Sequence, residues 1–326
     1  VTAGPVRVGV LGCAAIARRR MIPAFAACDQ VELVAVASRD GARAAELAGQ
    51  YGCRGVEGYE ALLADDGIEA VYVPLPAALH ARWTEAALRA GKHVLAEKPL
   101  TLDPVTTAAL MRLAAERGLA LRENVMFVHH SQHEAVGKLV ADGAIGELRS
   151  LRAEFSIPRQ SAGDIRYDET LGGGALWDTG VYPVRAALHF LGPELEVAGA
   201  ALVRGAGERV DTSGAVLLRT RRGVLAQLAF GLDHGYRNTY ELCGSEGRIT
   251  VDRAFTPPED FRPVLRLERH SEPSEVTLPA DPQMANTVAD FVAAVRGGAA
   301  PDGRLLEQAE LLDAIRRYAD DAQARN

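Results

Sequence analysis

The chain is poor in lysine. Lys92, Lys98 and Lys138 are the only ones, so arginine makes up the rest of its 36 basic residues. Cysteine is scarce as well. Cys13, Cys28, Cys53 and Cys243 are scattered, with no CxxC pair and no His/Cys cluster of zinc spacing, so a bound metal is not expected. That excludes a disulfide-built scaffold and suits a reducing, cytoplasmic setting. No apolar run approaches the roughly 18 residues that a membrane-spanning helix needs. The stretch from Val8 to Ala17 is cut by Gly12 and followed at once by Arg18-Arg19-Arg20, and is not read as a secretory leader. Long blocks of like charge are absent too, and the net charge is -7. Nucleic acid is therefore not the expected partner.

What is present describes an ordinary globular chain. It has 326 residues, 48% hydrophobic and 24% charged, enough for two domains of roughly 150 residues each. The first third alternates short apolar runs with amphipathic stretches. Strands are expected at Val6 to Leu11, Val31 to Ser38, Ala70 to Pro74, His93 to Ala96 and Leu119 to Glu123. Helices are expected from Ala14 onward, from Gly41 to Tyr51, from His80 to Ala90 and from Asp103 to Arg117. Such alternation implies a doubly wound parallel sheet with helices on both faces.

Beyond about residue 124 the period changes to two. After a helix from Ser131 to Asp142, strands are expected at Leu148 to Ile157, Val210 to Thr220, Gly223 to Leu232, Tyr240 to Cys243, Arg248 to Asp252 and Val264 to Glu268. They form a large, open, mostly antiparallel sheet. Helices from Pro282 to Arg296 and Leu305 to Ala324 close the chain. The fold class is α/β. Residues 1–124 form a nucleotide-binding domain, and residues 125–326 a domain for substrate binding and oligomerisation.

Gly9-Val-Leu-Gly12-Cys13-Ala14 lies where a first strand turns into a first helix. Glycines there let the backbone approach a pyrophosphate at a helix N-terminus. The second strand ends in Ser38-Arg39, where an NAD-selective site carries an acid for the ribose hydroxyls. A hydroxyl and a guanidinium suit a 2′-phosphate instead, so NADP(H) is the expected cofactor. The alternative is a solvated turn in which Asp40 starts the next helix. Glu97-Lys98-Pro99 sits at a strand end, where open α/β sheets bind ligands. The alternative there is an exposed charged loop. A GC-rich coding sequence would account for the shortage of lysine. The sharper reading is that lysine is kept where its proton is used, because guanidinium does not give its own up.

Several stretches, in order, resemble one family. They are GVLGCAAIA from Gly9 to Ala17, the strand end ASR, YVPLPAALH from Tyr72 to His80, AGKHVLAEKP from Ala90 to Pro99, and GGGALWDTGVYP from Gly172 to Pro183. The family is that of glucose-fructose oxidoreductase, inositol dehydrogenase and the rhizopine-catabolism proteins, oxidoreductases that use NAD(P) on sugars and polyols. Gly163-Asp-Ile-Arg-Tyr167 and Phe255-Thr-Pro-Pro258 sharpen the likeness toward sugar 3-ketoreductases acting on nucleotide-linked deoxysugars.

The resemblance implies a Rossmann domain followed by an α/β domain built on an open sheet. It assigns the cofactor to Gly9, Gly12, Cys13, Ala14, Ala15, Ile16, Ser38, Arg39, Pro74, Leu75, Pro76, His80, Glu97, Lys98 and Asn124. Lys98 maps onto the family's catalytic lysine, with a cis bond to Pro99. Asp178 and Tyr182 map onto an Asp-x-Gly-x-(His/Tyr) stretch. Tyrosine in place of the commoner histidine favours a phenol as the acid and disfavours inositol as substrate.

The implied reaction is NADPH-dependent reduction of the C3 ketone of a nucleoside-diphosphate sugar, with thymidine diphosphate as the nucleotide. A lysine beside the phenol would lower its pKa and polarise the carbonyl. For Asp178 the alternative is a helix cap, and for Tyr182 a buried aromatic. Arg166 and Tyr167 are the expected substrate contacts, with Tyr236 and Arg237 next. Here the alternative is that Arg166 pairs with Asp164 or Asp168. The sequence leaves open a dehydrogenase of a free sugar or polyol, and a non-catalytic NADP-binding regulator on the same fold. An uncovered sheet face predicts a homodimer or homotetramer.

Overall fold

The structure is a computed structural model that describes residues 4–161, 163–298 and 301–325. It divides into two compact units. The first runs to Val125 and takes back Met284–Leu305 from the far end of the chain; the second comprises Met126–Gln283 and the chain from Leu306 onward. A single cut after residue 124 does not include that return. Within the first unit, Arg296 pairs with Glu69 at 2.8 Å and Arg122 with Asp290 at 3.3 Å, while Met284, Val288 and Phe291 are buried.

The first unit holds β1 (Val6–Leu11), α1 (Ile22–Ala26), β2 (Val31–Ser38), α2 (Gly41–Gly49), β3 (Arg54–Glu57), α3 (Tyr59–Leu63), β4 (Ala70–Val73), α4 (Ala77–Arg89), β5 (His93–Glu97), α5 (Pro104–Glu116) and β6 (Leu121–Asn124). The strands are parallel in the order β3-β2-β1-β4-β5-β6, the doubly wound order. β1 and β4 are neighbours at the point where the order reverses. Their near-continuous apolar character follows from helices on both faces; all four residues of β4 are buried. Asp40 caps α2 through Ala42 N and Arg43 N, and Asp103 caps α5 through Thr106 N with Pro104 in its first turn. Gly91, at φ 75°, ends α4. The expected helix after Ala14 contains a π-helical turn, Ala17–Met21, before α1. β3 and α3 were not expected.

The second unit continues with α6 (Ser131–Ala141), β7 (Leu148–Ser156), α7 (Val181–Leu191), β8 (Leu195–Val203), β9 (Ser213–Thr220), β10 (Leu225–Gly231), β11 (Arg237–Gly244), β12 (Gly247–Asp252), β13 (Val264–Arg269) and β14 (Glu272–Thr277). The helices α8 (Gln283–Gly297) and α9 (Arg304–Gln323) follow. Eight strands pair in the order β14-β13-β12-β11-β7-β10-β9-β8, antiparallel except for β7 with β10. One face packs Leu151, Phe155, Leu228, Phe230, Tyr240 and Leu242 into the core with α7 and Phe255. The other carries Arg152, Glu154, Ala215, Leu217, Gln227, Ala229, Thr239 and Glu241 along a concave surface.

One expected strand is corrected. The sequence predicts a single run from Val210 to Thr220, but β9 starts at Ser213. Asp211 is occupied otherwise: its carboxylate accepts from Leu176 N at 2.7 Å and its carbonyl from Ala175 N at 2.8 Å. It caps the helix that carries Asp178 and Tyr182, and burial pushes its own carboxyl up. Asp211 is thereby taken out of the ladder, while Thr212 still donates to Val203 O and accepts from Leu232 N, at 2.8 Å each.

Candidate functional site

The carboxyl ends of the first unit's strands are level with one another. Leu11 pairs with Ala37, Val73 with Ala96, and Glu97 with Asn124. This register brings the loops that start at Gly12, Ser38, Pro74 and Lys98 to one end of the sheet. Gly12 has φ 124°, and a Cβ there would meet Leu75 Cδ2 at 3.0 Å. Its N–H donates to Ala37 O at 2.9 Å. Gly9 lies deeper, inside β1; a Cβ there would be 2.7 Å from Leu62 Cδ2, so its bareness serves the packing of α3. Ala14 O accepts from Arg18 N at 3.0 Å, and Ala15 and Ile16 lie in the same first helical turn. Burial pushes the Cys13 thiol up, which does not suit a nucleophile.

At the end of β2, Ser38 Oγ accepts from Asp40 N at 3.2 Å, and the Asp40 carboxylate turns back to cap α2. The Asp40 carboxylate is therefore committed to the helix and does not stand free at the end of β2. Arg39 is exposed and lies beside the Tyr59 hydroxyl. Pro74, Leu75 and Pro76 lead into α4. His80 is buried, with Nδ1 2.7 Å from Pro99 O and Nε2 2.6 Å from Leu75 O. Burial pushes its pKa down, although two carbonyl partners would together prefer two ring donors. Whichever tautomer is present, the ring ties the α4 entry to the loop after β5. The Lys98–Pro99 bond is cis.

Glu97 is buried and joins three strands. Its Oε1 accepts from Tyr72 Oη at 2.6 Å and from Asn124 Nδ2 at 2.5 Å. Leu100 N donates to Glu123 Oε1 at 2.7 Å, so both ends of the Lys98 loop are held. Asn124 Oδ1 is buried with no hydrogen-bond partner among the described residues. The three lysines have different surroundings. Lys92 is buried, and its Nζ donates to Asp65 O and Ile68 O at 2.7 Å each. Lys138 pairs with Asp142 on the surface. Lys98 alone stands, half-buried, at a strand end beside this network.

In the second unit, Asp178 lies in a π-helical turn, Leu176–Gly180, that leads into α7. Its Oδ2 accepts from Arg166 Nε at 2.6 Å, and Arg166 Nη1 donates to Asp164 at 3.0 Å. Burial works against that guanidinium's charge, but Asp178 and Asp164 outweigh it and hold it protonated. Asp168 binds Thr170 instead. Arg166 therefore pairs with Asp164 and not with Asp168, and Asp178 is its second partner. Asp178 does not cap the helix; Asp211 does. Tyr182 is buried, edge-on to Phe155 at 4.8 Å and tilted against Phe255 at 5.8 Å.

Tyr167 braces the loop around it. Its hydroxyl donates to Leu232 O at 3.0 Å and accepts from Gln160 N at 3.1 Å. Tyr236 is 44% exposed. Arg237 does not join Tyr182. The two-residue period of β11 places it with Thr239 and Glu241 on the concave face, paired with Glu154 at 3.6 Å. His130 caps α6 through Gln132 N, and His133 Nδ1 lies 3.0 Å from Tyr240 Oη. Among the described residues no group of three or more His, Cys, Asp or Glu is placed to hold a metal. None of the described helices is long and apolar enough to cross a membrane. No local motif marks Asp211 as part of these networks.

Comparisons agree with this geometry. Residues 6–125 match the description "Oxidoreductase family, NAD-binding Rossmann fold", and residues 133–250 match the GFO/IDH/MocA C-terminal domain. A dTDP-3,4-didehydro-2,6-dideoxy-alpha-D-glucose 3-reductase of Streptomyces antibioticus is 53% identical over 96% of this chain and 97% of its own. An enzyme of the same name from Actinomadura kijaniata is 50% identical over 98% and 97%. The crystal structure of KijD10, a 3-ketoreductase from Actinomadura kijaniata in complex with NADP and TDP-benzene, superposes with a TM-score of 0.95. It is 50% identical and covers 97% of this chain and 98% of that one. With a parallel six-stranded sheet of doubly wound order, an eight-stranded mostly antiparallel sheet, and both domain matches in sequence, the chain belongs to the GFO/IDH/MocA oxidoreductase family.

Proposed function

We propose that the chain reduces the C3 ketone of a nucleoside-diphosphate keto-deoxysugar with NADPH, the nucleotide being thymidine diphosphate, in the formation of a deoxysugar of the kind attached to antibiotics. The observation that carries this reading is identity of about half the residues, along nearly the whole chain, to reductases of such a sugar. The residues present fit the cofactor. Gly12 leaves the backbone bare at the first strand end, Ser38 and Arg39 stand where an acid would repel a 2′-phosphate, and Asn124 keeps a buried acceptor without a partner. When bound, NADPH supplies the hydride.

The protein's own task is then the proton and the orientation of the sugar. Tyr182 has a phenol that can protonate the new alkoxide oxygen, with its ring fixed by Phe155 and Phe255. Lys98 supplies a positive charge that favours an oxyanion, on a loop held by Glu123 and His80. Asp178, fastened to Arg166, orients a sugar hydroxyl. Arg166 therefore acts mainly through Asp178, and its diphosphate role is secondary. The test is a substrate panel followed by loss of NADPH absorbance. A dTDP-linked 3-keto sugar is consumed, and thymidine diphosphate competes with it. Turnover of free aldoses or polyols, with no competition by thymidine diphosphate at millimolar concentration, replaces this reading with a free-sugar dehydrogenase.

We also propose that the concave face of the eight-stranded sheet packs against a second copy. Arg152 and Arg237 lie there beside Glu154 and Glu241, so a two-fold axis can set each sign against its opposite, around small residues such as Ala215 and Ala229. Sedimentation of the protein at micromolar concentration gives a dimer or tetramer, and Leu217→Glu shifts it toward monomer. A monomeric parent protein removes this assignment.

A further inference from the structure

Several loops emerge at one end of the eight-stranded sheet, and the arginines among them differ in how they are engaged. β7 ends at Ser156 and the parallel β10 at Gly231, while Arg237 of the antiparallel β11 pairs with Ser156. The turn after β12, residues 253–256, emerges at the same end, since Asp252 pairs with Thr239. Phe255 of that turn packs on Tyr182. Arg166 is held by Asp164 and Asp178, Arg159 by Glu208 and Asp233, and Arg237 by Glu154 on the other face. Arg253 differs from all three. Among the described residues no carboxylate lies within salt-bridge distance of it, it is exposed, and its guanidinium lies 5.8 Å from the centre of the Tyr236 ring.

This pair is built into the fold by a buried amide. Asn238 is 5% exposed, and its Oδ1 accepts from Phe255 N at 2.7 Å. Its Nδ2 donates to Tyr236 Oη at 2.9 Å and to Thr256 Oγ1 at 2.8 Å. One side chain therefore fixes both the tyrosine and the turn that bears the arginine. Arg253 itself has φ 49°, a left-handed conformation that a non-glycine residue holds only when its surroundings enforce it. The result is an aromatic face beside a guanidinium that has no carboxylate within salt-bridge distance among the described residues, on the turn whose Phe255 packs on Tyr182. An aromatic ring bonded to a diphosphate has that same pairing of a stacking surface with adjacent negative charge.

We propose that Tyr236 and Arg253 form the nucleotide-recognition platform of the second unit, with Tyr236 receiving the pyrimidine ring and Arg253 the diphosphate. This rests on the nucleotide-sugar reading and assigns its anion to Arg253 in preference to Arg166. The probe is thymidine diphosphate, titrated calorimetrically into the full chain. Arg253→Gly removes the guanidinium and suits the left-handed backbone, so the thermal midpoint holds or rises while affinity for thymidine diphosphate falls about 10- to 100-fold. Arg253→Lys keeps part of that affinity. Tyr236→Phe retains the ring and binds nearly as the parent does, whereas Tyr236→Ala loses about tenfold. NADPH affinity is unchanged in all four. If the parent binds thymidine diphosphate and Arg253→Gly and Tyr236→Ala bind it equally well, the platform is refuted while the nucleotide-sugar reading stands. If the parent itself does not bind it at millimolar concentration, both fall.

Discussion

Changing Lys98 to alanine is expected to lower kcat by roughly 10²–10⁴, equivalent to about 3–5 kcal/mol of barrier. The expectation comes from placement as well as charge. Lys92 spends its ammonium on two backbone carbonyls and Lys138 pairs on the surface, which leaves Lys98 as the lysine at a strand end. Its loop is held by hydrogen bonds from Leu100 N to Glu123 and between His80 and Pro99 O, so the ammonium is delivered from a fixed support. Lys98→Arg does not restore turnover, because guanidinium keeps its proton and presents a wider, planar head. Tyr182→Phe costs less wherever water relays the proton. Single-turnover measurements read the chemical step directly, and a Lys98→Ala protein with near-parental single-turnover rates would remove this residue from the chemistry.

Ser38→Asp is expected to reverse the cofactor preference by roughly 10²-fold or more in kcat/KM, from NADPH toward NADH. A carboxylate at this strand end repels a 2′-phosphate and accepts hydrogen bonds from an unphosphorylated ribose, and like charges set against each other cost several kcal/mol. The backbone tolerates the change, since an aspartate oxygen can still accept from Asp40 N as Ser38 Oγ does. Asp40 cannot already play that part, because its carboxylate is committed to Ala42 N and Arg43 N. Steady-state kinetics with both cofactors decide the matter. Equal specificity constants for NADH and NADPH in the parent protein would refute the assignment of Ser38 and Arg39.

The nucleotide half of the site was legible locally because its parts are contiguous. A glycine loop, a strand end and a Glu-Lys-Pro loop each occupy a few residues, and parallel strands deliver them to one sheet end by topology alone. The substrate half was legible only in pieces. Arg166 was visible as a candidate, but whether it faced a ligand or a carboxylate depended on Asp178, twelve residues away, and the structure gives it to Asp178. Arg237 is expected among substrate contacts from its place on the loop after the strand Gly223 to Leu232, but it belongs to β11 and lies on the concave face. Arg253 carried no sequence signal, since its conformation and its neighbour are set by Asn238, fifteen positions earlier.

The sequence by itself determined the central strands, the helices that cover them and the family. The bounds read for Val31 to Ser38 are those the structure shows, because its run of Val, Leu and Ala suits a central strand whose last four residues are buried. What it did not reveal were β3, β8 and β14, which are all edge strands. An edge strand pairs on one side only and buries little, so its residues need not be apolar; all six of β14 are exposed. Tertiary structure also decided that Met284–Leu305 returns to the first unit, that Asp211 serves as a helix cap, and that Arg166 is bound to Asp178. Each of these joins residues far apart along the chain, and local periodicity and propensity carry no information about which distant partner satisfies a buried donor or charge.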